Sequence, residues 1–594
     1  MTTPTELAVY ESFEEVSLRK STLDELIADL RVFSEQSVLW VCAAIVTGMQ
    51  LWNRPNLQPF DIYQRFLSLF FDGALRARFI AGYWSTDPRR FLFHRRQILL
   101  ISKLAILHCS GHGVDARFSG ERFGPILLKA NDHLHYGLLP NEPGHRVATR
   151  DDFAKIITEM VAVGEHASPN VAHMVARSHL MLTHFPKELS GHPDFVDIAG
   201  EYRKATDLTI EEFEAMVFAV HARFGEELVR KLIDQPGSLP LSDANFASVA
   251  VPAGKVRTFL DSLSADSRRI SSELKEKDNG PNDFTVFRKF PLVLQYYNMH
   301  LKTASSGFLM MDNLFFLEKI QTAPYWNAAV FGERLHRFWG AVFEKYVNEL
   351  MRRACAGTKA KYIPDPRHPD DPSAQICDGI VVSDDSLVLM EYKSNMFRAD
   401  TKYSGNHSEL AAEIEMKLVH NKTDKKKGVW QLSAALKTLF NQDASVSLPG
   451  IDPRNIRRVY LYLVTLDSIG ATIGISPFLN TFLEERLDGR LLPIEVRPLF
   501  CTDIETLEFA SGFFGASSLP QVLEHWFVTN PSLTTPLSAI DLGRFVWREN
   551  GWLRTEWNSV YKSMIKILFP DKNPEAALAE AIKRAESHPS SRVS

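Results

Sequence analysis

The chain holds little cysteine: five residues in 594, at positions 42, 109, 355, 377 and 501. None are paired as CxxC, so neither a disulfide framework nor a thiolate zinc cluster is encoded, and the pattern suits a reducing compartment. A basic surplus is also missing, with 67 Lys and Arg against 72 Asp and Glu for a net charge of −5. Any attraction to a polyanion must therefore be local. No apolar run spans a bilayer, and the longest, Val38 to Met49, reads as a buried helix. The first residues are polar and acidic and lack a secretory pattern. A Walker loop, a dinucleotide fingerprint and a serine elbow are absent, which argues against those nucleotide-binding and acyl-transfer chemistries. Histidines between 108 and 184 lack zinc spacing. No repeat of about 20–50 residues recurs, so a solenoid is not expected. The expectation is a soluble, cytoplasmic protein of roughly two to four domains, with no membrane partner.

What is present first is helical pattern. Through about residue 280, apolar residues recur at helical spacing, and Thr22 with Glu25 and Thr209 with Glu212 form capping-box starts. A polar stretch from Ser271 to Gly280 reads as a linker or an exposed helix end. Beyond Pro531 the pattern is helical again, with Trp552, Tyr561, Ile565 and Leu568 as packing residues. This divides the chain into a helical region 1–280, an α/β region 281–530 and a helical tail 531–594.

The most informative segment lies in the α/β region. Ile376 to Val382 and Leu387 to Lys393 are two β-type apolar runs around Ser383-Asp384-Asp385-Ser386, a hairpin turn. With Asp384 and Asp385 as the loop, Ser383 pairs with Ser386 and, counting outward, Asp378 falls opposite Glu391. Opposed side chains share a face, and Lys393, two residues on, shares it too. Two carboxylates and an amine thus converge at the end of an apolar hairpin. Such carboxylates repel unless a hard cation neutralises them, and Mg²⁺ keeps positions open for water and phosphate oxygens. Glu273-Leu274-Lys275 and Glu415-Met416-Lys417 repeat the three-residue pattern but lie in charged, helix-like stretches without strands.

Asp378, Glu391-Tyr392-Lys393 and their strand setting resemble the PD-(D/E)XK nuclease superfamily. Its core runs helix, three antiparallel strands, helix, strand. Cys377 stands where the motif usually has Pro. Upstream, Leu335, Phe338, Trp339, Val342, Phe343, Tyr346, Val347 and Leu350 form the stripe of a helix from Phe331 to Met351. The stretch Gly340 to Val347 is similar to the family's first core helix, which implies a metal-site role for Glu344, at the stripe's edge; Glu333 is the fallback. Downstream, Lys425 to Leu436 resembles the second core helix, implying that Gln431 supports the metal or the phosphate. Ala435 stands where some relatives have Tyr. Arg457 to Val464 fits the final core strand.

The resemblance, over about residues 284–525, implies a mixed sheet flanked by helices and Mg²⁺-dependent phosphodiester hydrolysis, with Mn²⁺ as a substitute. Asp378, Glu391 and Glu344 would hold the metal, and Lys393 and Gln431 would complete the catalytic set. The substrate would be nucleic acid, DNA ahead of RNA. An insertion at about 395–428 carries a basic excess: from Lys393 to Gly428, eight Lys and Arg face five acids. This makes Lys402, Lys425, Lys426 and Lys427 candidate phosphate contacts. A large helical region joined to this nuclease core is similar in arrangement to stand-alone bacterial anti-phage effectors, leaving open a phage-derived trigger and self-association. The alternative is a nuclease-fold protein without activity that binds nucleic acid or regulates.

Overall fold

The computed structural model describes residues 9–52, 59–84, 90–109, 119–134, 149–164, 170–223, 239–297, 305–420, 427–440, 451–487, 492–540, 542–543, 545–546 and 548–586. The chain is mostly helical, with several small sheets. It divides into two compact units, each built from separated stretches. The first comprises Met1–Tyr136, Ala199–Asn327 and Asn558–Ser594, and the second Gly137–Ile198 and Ala328–Trp557. These units cut across the expected boundaries at 280 and 530. Residues 137–198 join the second unit although they lie within the helical region, and 281–327 join the first.

In the first unit, Val38, Leu39 and Cys42 on the helix Glu35–Trp52 are fully buried, as their apolar run requires. Both capping boxes form: the Thr22 hydroxyl accepts from the Glu25 N–H, and the Thr209 hydroxyl from the Glu212 N–H. The region is not wholly helical. Ser264–Asp266 and Ser305–Met310 flank Leu292–Tyr297 in a three-stranded mixed sheet. Among the described residues no single helix is long and apolar enough to cross a membrane; Leu23–Leu30 and Glu35–Met49 reach that length only together, across a 107° bend.

The second unit carries a five-stranded mixed sheet. Its elements are helix α1 (Glu333–Cys355), strands β1 (Lys361–Pro364), β2 (Gly379–Ser383) and β3 (Ser386–Lys393), helix α2 (Gly428–Phe440), strand β4 (Arg458–Thr465), helix α3 (Ile475–Leu487) and strand β5 (Glu495–Asp503). Across the sheet the order is β5-β4-β3-β2-β1. β1, β2 and β3 pair antiparallel, whereas β4 lies parallel to both β3 and β5. β3 is buried on both faces, which explains its unbroken apolar run. All eight apolar stripe residues of α1 are buried.

The β2–β3 register is the expected one, from Ser383 with Ser386 to Gly379 with Met390. Asp384 takes a left-handed φ of 51°, which Asp tolerates better than most residues. α2 must begin on glycine: Gly428 has φ +29°, and a Cβ there would meet the Leu418 carbonyl at 2.1 Å. Leu387 and Leu389 of β3 share one core with Val429, Leu432 and Leu436 of α2 and Phe478 of α3. Ala154, Ile157 and Val161, from the helix Arg150–Gly164, complete that core.

Candidate active site

The hairpin brings Asp378 and Glu391 together where β2 begins. The ladder ends at Gly379 with Met390, and the Asp378 N–H donates to the same Met390 carbonyl at 3.1 Å rather than continuing the register to Glu391. The Tyr392 N–H donates to Asp378 Oδ2 at 2.6 Å, and Gln375 Nε2 donates to Oδ1 at 3.2 Å. Main chain and a side-chain amide therefore fix this carboxylate. Glu391 is 1% exposed, and Lys393 Nζ donates to its Oε2 at 2.8 Å. Gly379 leaves room for what lies behind: a Cβ there would sit 2.5 Å from Tyr392 Oη and 2.6 Å from Tyr362 Oη. Those hydroxyls bond to each other at 2.8 Å.

The electrostatics are those of crowded, desolvated acids. Burial raises the Glu391 carboxyl to about 8, Asp378 adds to the rise, and Lys393 opposes it. Glu344, half-buried on α1, is pushed to about 7, first by burial, then by Asp378 and Asp365, with Arg367 and Lys393 opposing. Glu344 thus belongs to the same charge cluster as the hairpin. Glu333 does not: it stands in the first turn of α1, its side chain 92% exposed beside Arg337.

Gln431 joins from α2. It lines a cavity of about 200 Å³ with Glu391, Cys377, Gln375, His368 and Thr438. Ala434 and Ala435 form part of the same wall. Of the five sequence-derived catalytic candidates, Asp378, Glu391 and Lys393 lie on one hairpin end, Gln431 of α2 shares a cavity with Glu391, and Glu344 of α1 lies within the electrostatic influence of Asp378 and Lys393. Among the described residues, no three His, Cys, Asp or Glu side chains are already drawn to ligand spacing. Lys393 and the Tyr392 N–H hold the two hairpin carboxylates instead.

The basic candidates fare differently. Lys402 is buried, with its Nζ 2.8 Å from Asp467 Oδ1, so it is an internal ion pair and no phosphate contact. Within the insertion, Lys417 bonds to Glu413 and Arg398 pairs with Asp400. The local basic count therefore overstates the free charge. Lys427, just before α2, has its pKa lowered, first by burial, then by repulsion from Lys393 and Lys417, so it belongs to the site's surroundings. Lys425 and Lys426 lie outside the described residues. The sequence reading missed Arg367, His368 and Gln375, all on a ribbon between β1 and β2. Pro366, Pro369 and Pro372 signalled a turn there but not the direction in which it folds.

Comparison with family models, curated proteins and solved structures finds no match to the chain.

Proposed function

We propose that the chain is a divalent-metal-dependent nuclease of the PD-(D/E)XK kind, hydrolysing phosphodiester bonds in nucleic acid, DNA ahead of RNA. The observation that carries the reading is the meeting of Asp378, Glu391 and Lys393 at one hairpin end, with Glu344 and Gln431 beside them. The order α1, three antiparallel strands, α2, β4 supports it. The donor set suits Mg²⁺ or Mn²⁺: the acids are hard oxygen ligands, and burial and mutual repulsion make a cation welcome among them. When bound, such an ion supplies Lewis-acid charge stabilisation at phosphate and a lowered pKa for water.

The chain's own groups have distinct tasks. Asp378, fixed by the Tyr392 N–H, and Glu391 bind the ion, and Glu344 contributes from α1. Lys393 orients the attacking water and offsets charge on the phosphoryl oxygens. Gln431 hydrogen-bonds a phosphate oxygen or a water across the cavity. A role in anti-phage defence remains part of the proposal by analogy alone, with Met1–Tyr136 and Ala199–Asn327 forming a unit apart from the one that carries the hairpin. The test is incubation of the purified chain with plasmid, linear and single-stranded DNA and with RNA, in Mg²⁺, in Mn²⁺ and in EDTA. Cleavage that requires metal and vanishes in Asp378→Asn supports the reading. Cleavage in excess EDTA, or full activity of that variant, sinks it. Binding without cleavage returns the chain to the inactive-fold alternative.

A further inference from the structure

Between β1 and β2 the chain leaves the sheet as a two-stranded ribbon, Arg367–His368 against Asp371–Gln375. Both ends of this ribbon are tied beside the carboxylate pair. The Asp365 N–H donates to the carbonyl of Asp378 itself at 3.0 Å, and the Ile376 N–H donates to the Pro366 carbonyl at 2.9 Å. Gln375 on the returning strand donates to Asp378 Oδ1. The ribbon is thus rooted on the residue that anchors the candidate metal site.

It carries two groups that the nuclease motif does not require. His368 lines the cavity with Glu391 and Gln431. Arg367 Nη2 is 2.7 Å from Asp365 Oδ2, and its Nη1 is 3.3 Å from the Ser373 carbonyl. The Arg367 side chain is 42% exposed, and these bonds use two of its five N–H donors. Two of the insertion's described lysines, Lys402 and Lys417, are spent on internal pairs. With a chain charge of −5, substrate affinity must come from cations close to the reacting phosphate.

We propose that the ribbon 365–376 is a phosphate clamp, in which His368 from the cavity wall and Arg367, next to it on the ribbon, grip the nucleic-acid backbone. The proposal rests on the nuclease reading and assigns the substrate contact of the same site. Arg367 supplies a planar fork that matches phosphate oxygens in pairs, and His368 supplies an N–H donor from the cavity wall. Gln375 couples the clamp to Asp378, so a seated backbone also steadies a metal-binding carboxylate.

The experiment uses the full chain and a fluorescein-labelled DNA oligonucleotide, single-stranded and duplex, with Ca²⁺ in place of Mg²⁺ so that binding is read apart from cleavage. Arg367→Gln should weaken binding about tenfold and flatten the salt dependence by about one unit of slope, similarly for unrelated sequences. His368→Gln should weaken binding less. The Mn²⁺ affinity of His368→Gln and the thermal midpoint of both variants should match wild type, a pattern that a merely structural ribbon would not give. Wild-type oligonucleotide affinity and salt slope in both variants overturn the clamp, as does a wild-type chain that binds no nucleic acid. If wild type binds through Arg367 but never cleaves in Mg²⁺ or Mn²⁺, the clamp stands and the nuclease reading falls. If wild type cleaves and both variants match it in binding and rate, the nuclease reading stands and the clamp falls.

Discussion

Lys393 Nζ lies 2.8 Å from Glu391 Oε2, a pair two residues apart on one face of β3. The ammonium neutralises a carboxylate that burial would otherwise leave uncompensated. In the proposed chemistry the same ammonium meets charge that develops on phosphate. Lys393→Met should therefore lose about 10²–10³ in cleavage rate, the usual cost of removing one such donor. Mn²⁺ affinity should change far less. Calorimetric titration beside single-turnover cleavage separates the two, and a loss of metal affinity as deep as that of Asp378→Asn would make Lys393 a binding residue.

Asp378→Asn and Glu391→Gln should abolish metal-dependent cleavage while the fold persists. For Asp378→Asn the amide oxygen can still accept the Tyr392 N–H, and one of the crowded charges is gone. Its thermal midpoint in EDTA should equal or exceed that of wild type. A large drop would mean that Asp378 is chiefly a structural acceptor.

Metal affinity should climb with pH. Glu344 and Glu391 titrate near 7 and 8 in the folded chain, both raised by burial. A cation must displace their protons, so binding strengthens from about pH 6 upward and levels off above about pH 8. Without added metal the sign reverses for stability. The contribution of these raised acids is fully present below about pH 4.5 and is lost as pH rises through 7 and then 8. Mn²⁺ titrations and EDTA melting curves across this range check both, and an affinity flat from pH 6 to 9 would show that neither acid is a ligand.

Removing residues 1–280 should not leave a folded core. Arg177, from the helix Val171–His179, is buried and holds Glu508 at 2.8 and 2.7 Å and Glu505 at 3.0 Å. The Tyr346 hydroxyl of α1 donates to the same Glu508. Truncation strips that carboxylate of its cation and also removes Ala154, Ile157 and Val161 from the core. Arg177→Ala alone should cost about 3–5 kcal/mol, the usual loss for breaking a buried pair. Denaturant unfolding of the point variant and circular dichroism of the truncation measure both, and a cooperative, wild-type-like melt of residues 281–594 would refute the interwoven unit.

The hairpin register was legible because a two-residue loop between apolar runs leaves one pairing that keeps both strands apolar. The stripe of α1 was legible for a similar reason, since eight residues at helical spacing need one buried face. Lys402 was misread because a count of charges does not name partners, and Asp467 lies far along the chain. The helix Arg150–Gly164 shows an apolar face in sequence, but nothing in its periodicity says which core that face will enter.

The division of each unit among separated stretches governs the order in which the molecule can be assembled. During synthesis the sheet's first strands emerge long before β5 and the helix that bears Glu505 and Glu508. The helix Val171–His179 must therefore wait, with Arg177 unpaired, until more than three hundred further residues have left the ribosome. The carboxylate centre is finished late, against partners supplied from both directions along the chain. A chain interrupted before Glu508 would display the hairpin without the buried contacts that tie α1, through Tyr346, to Arg177.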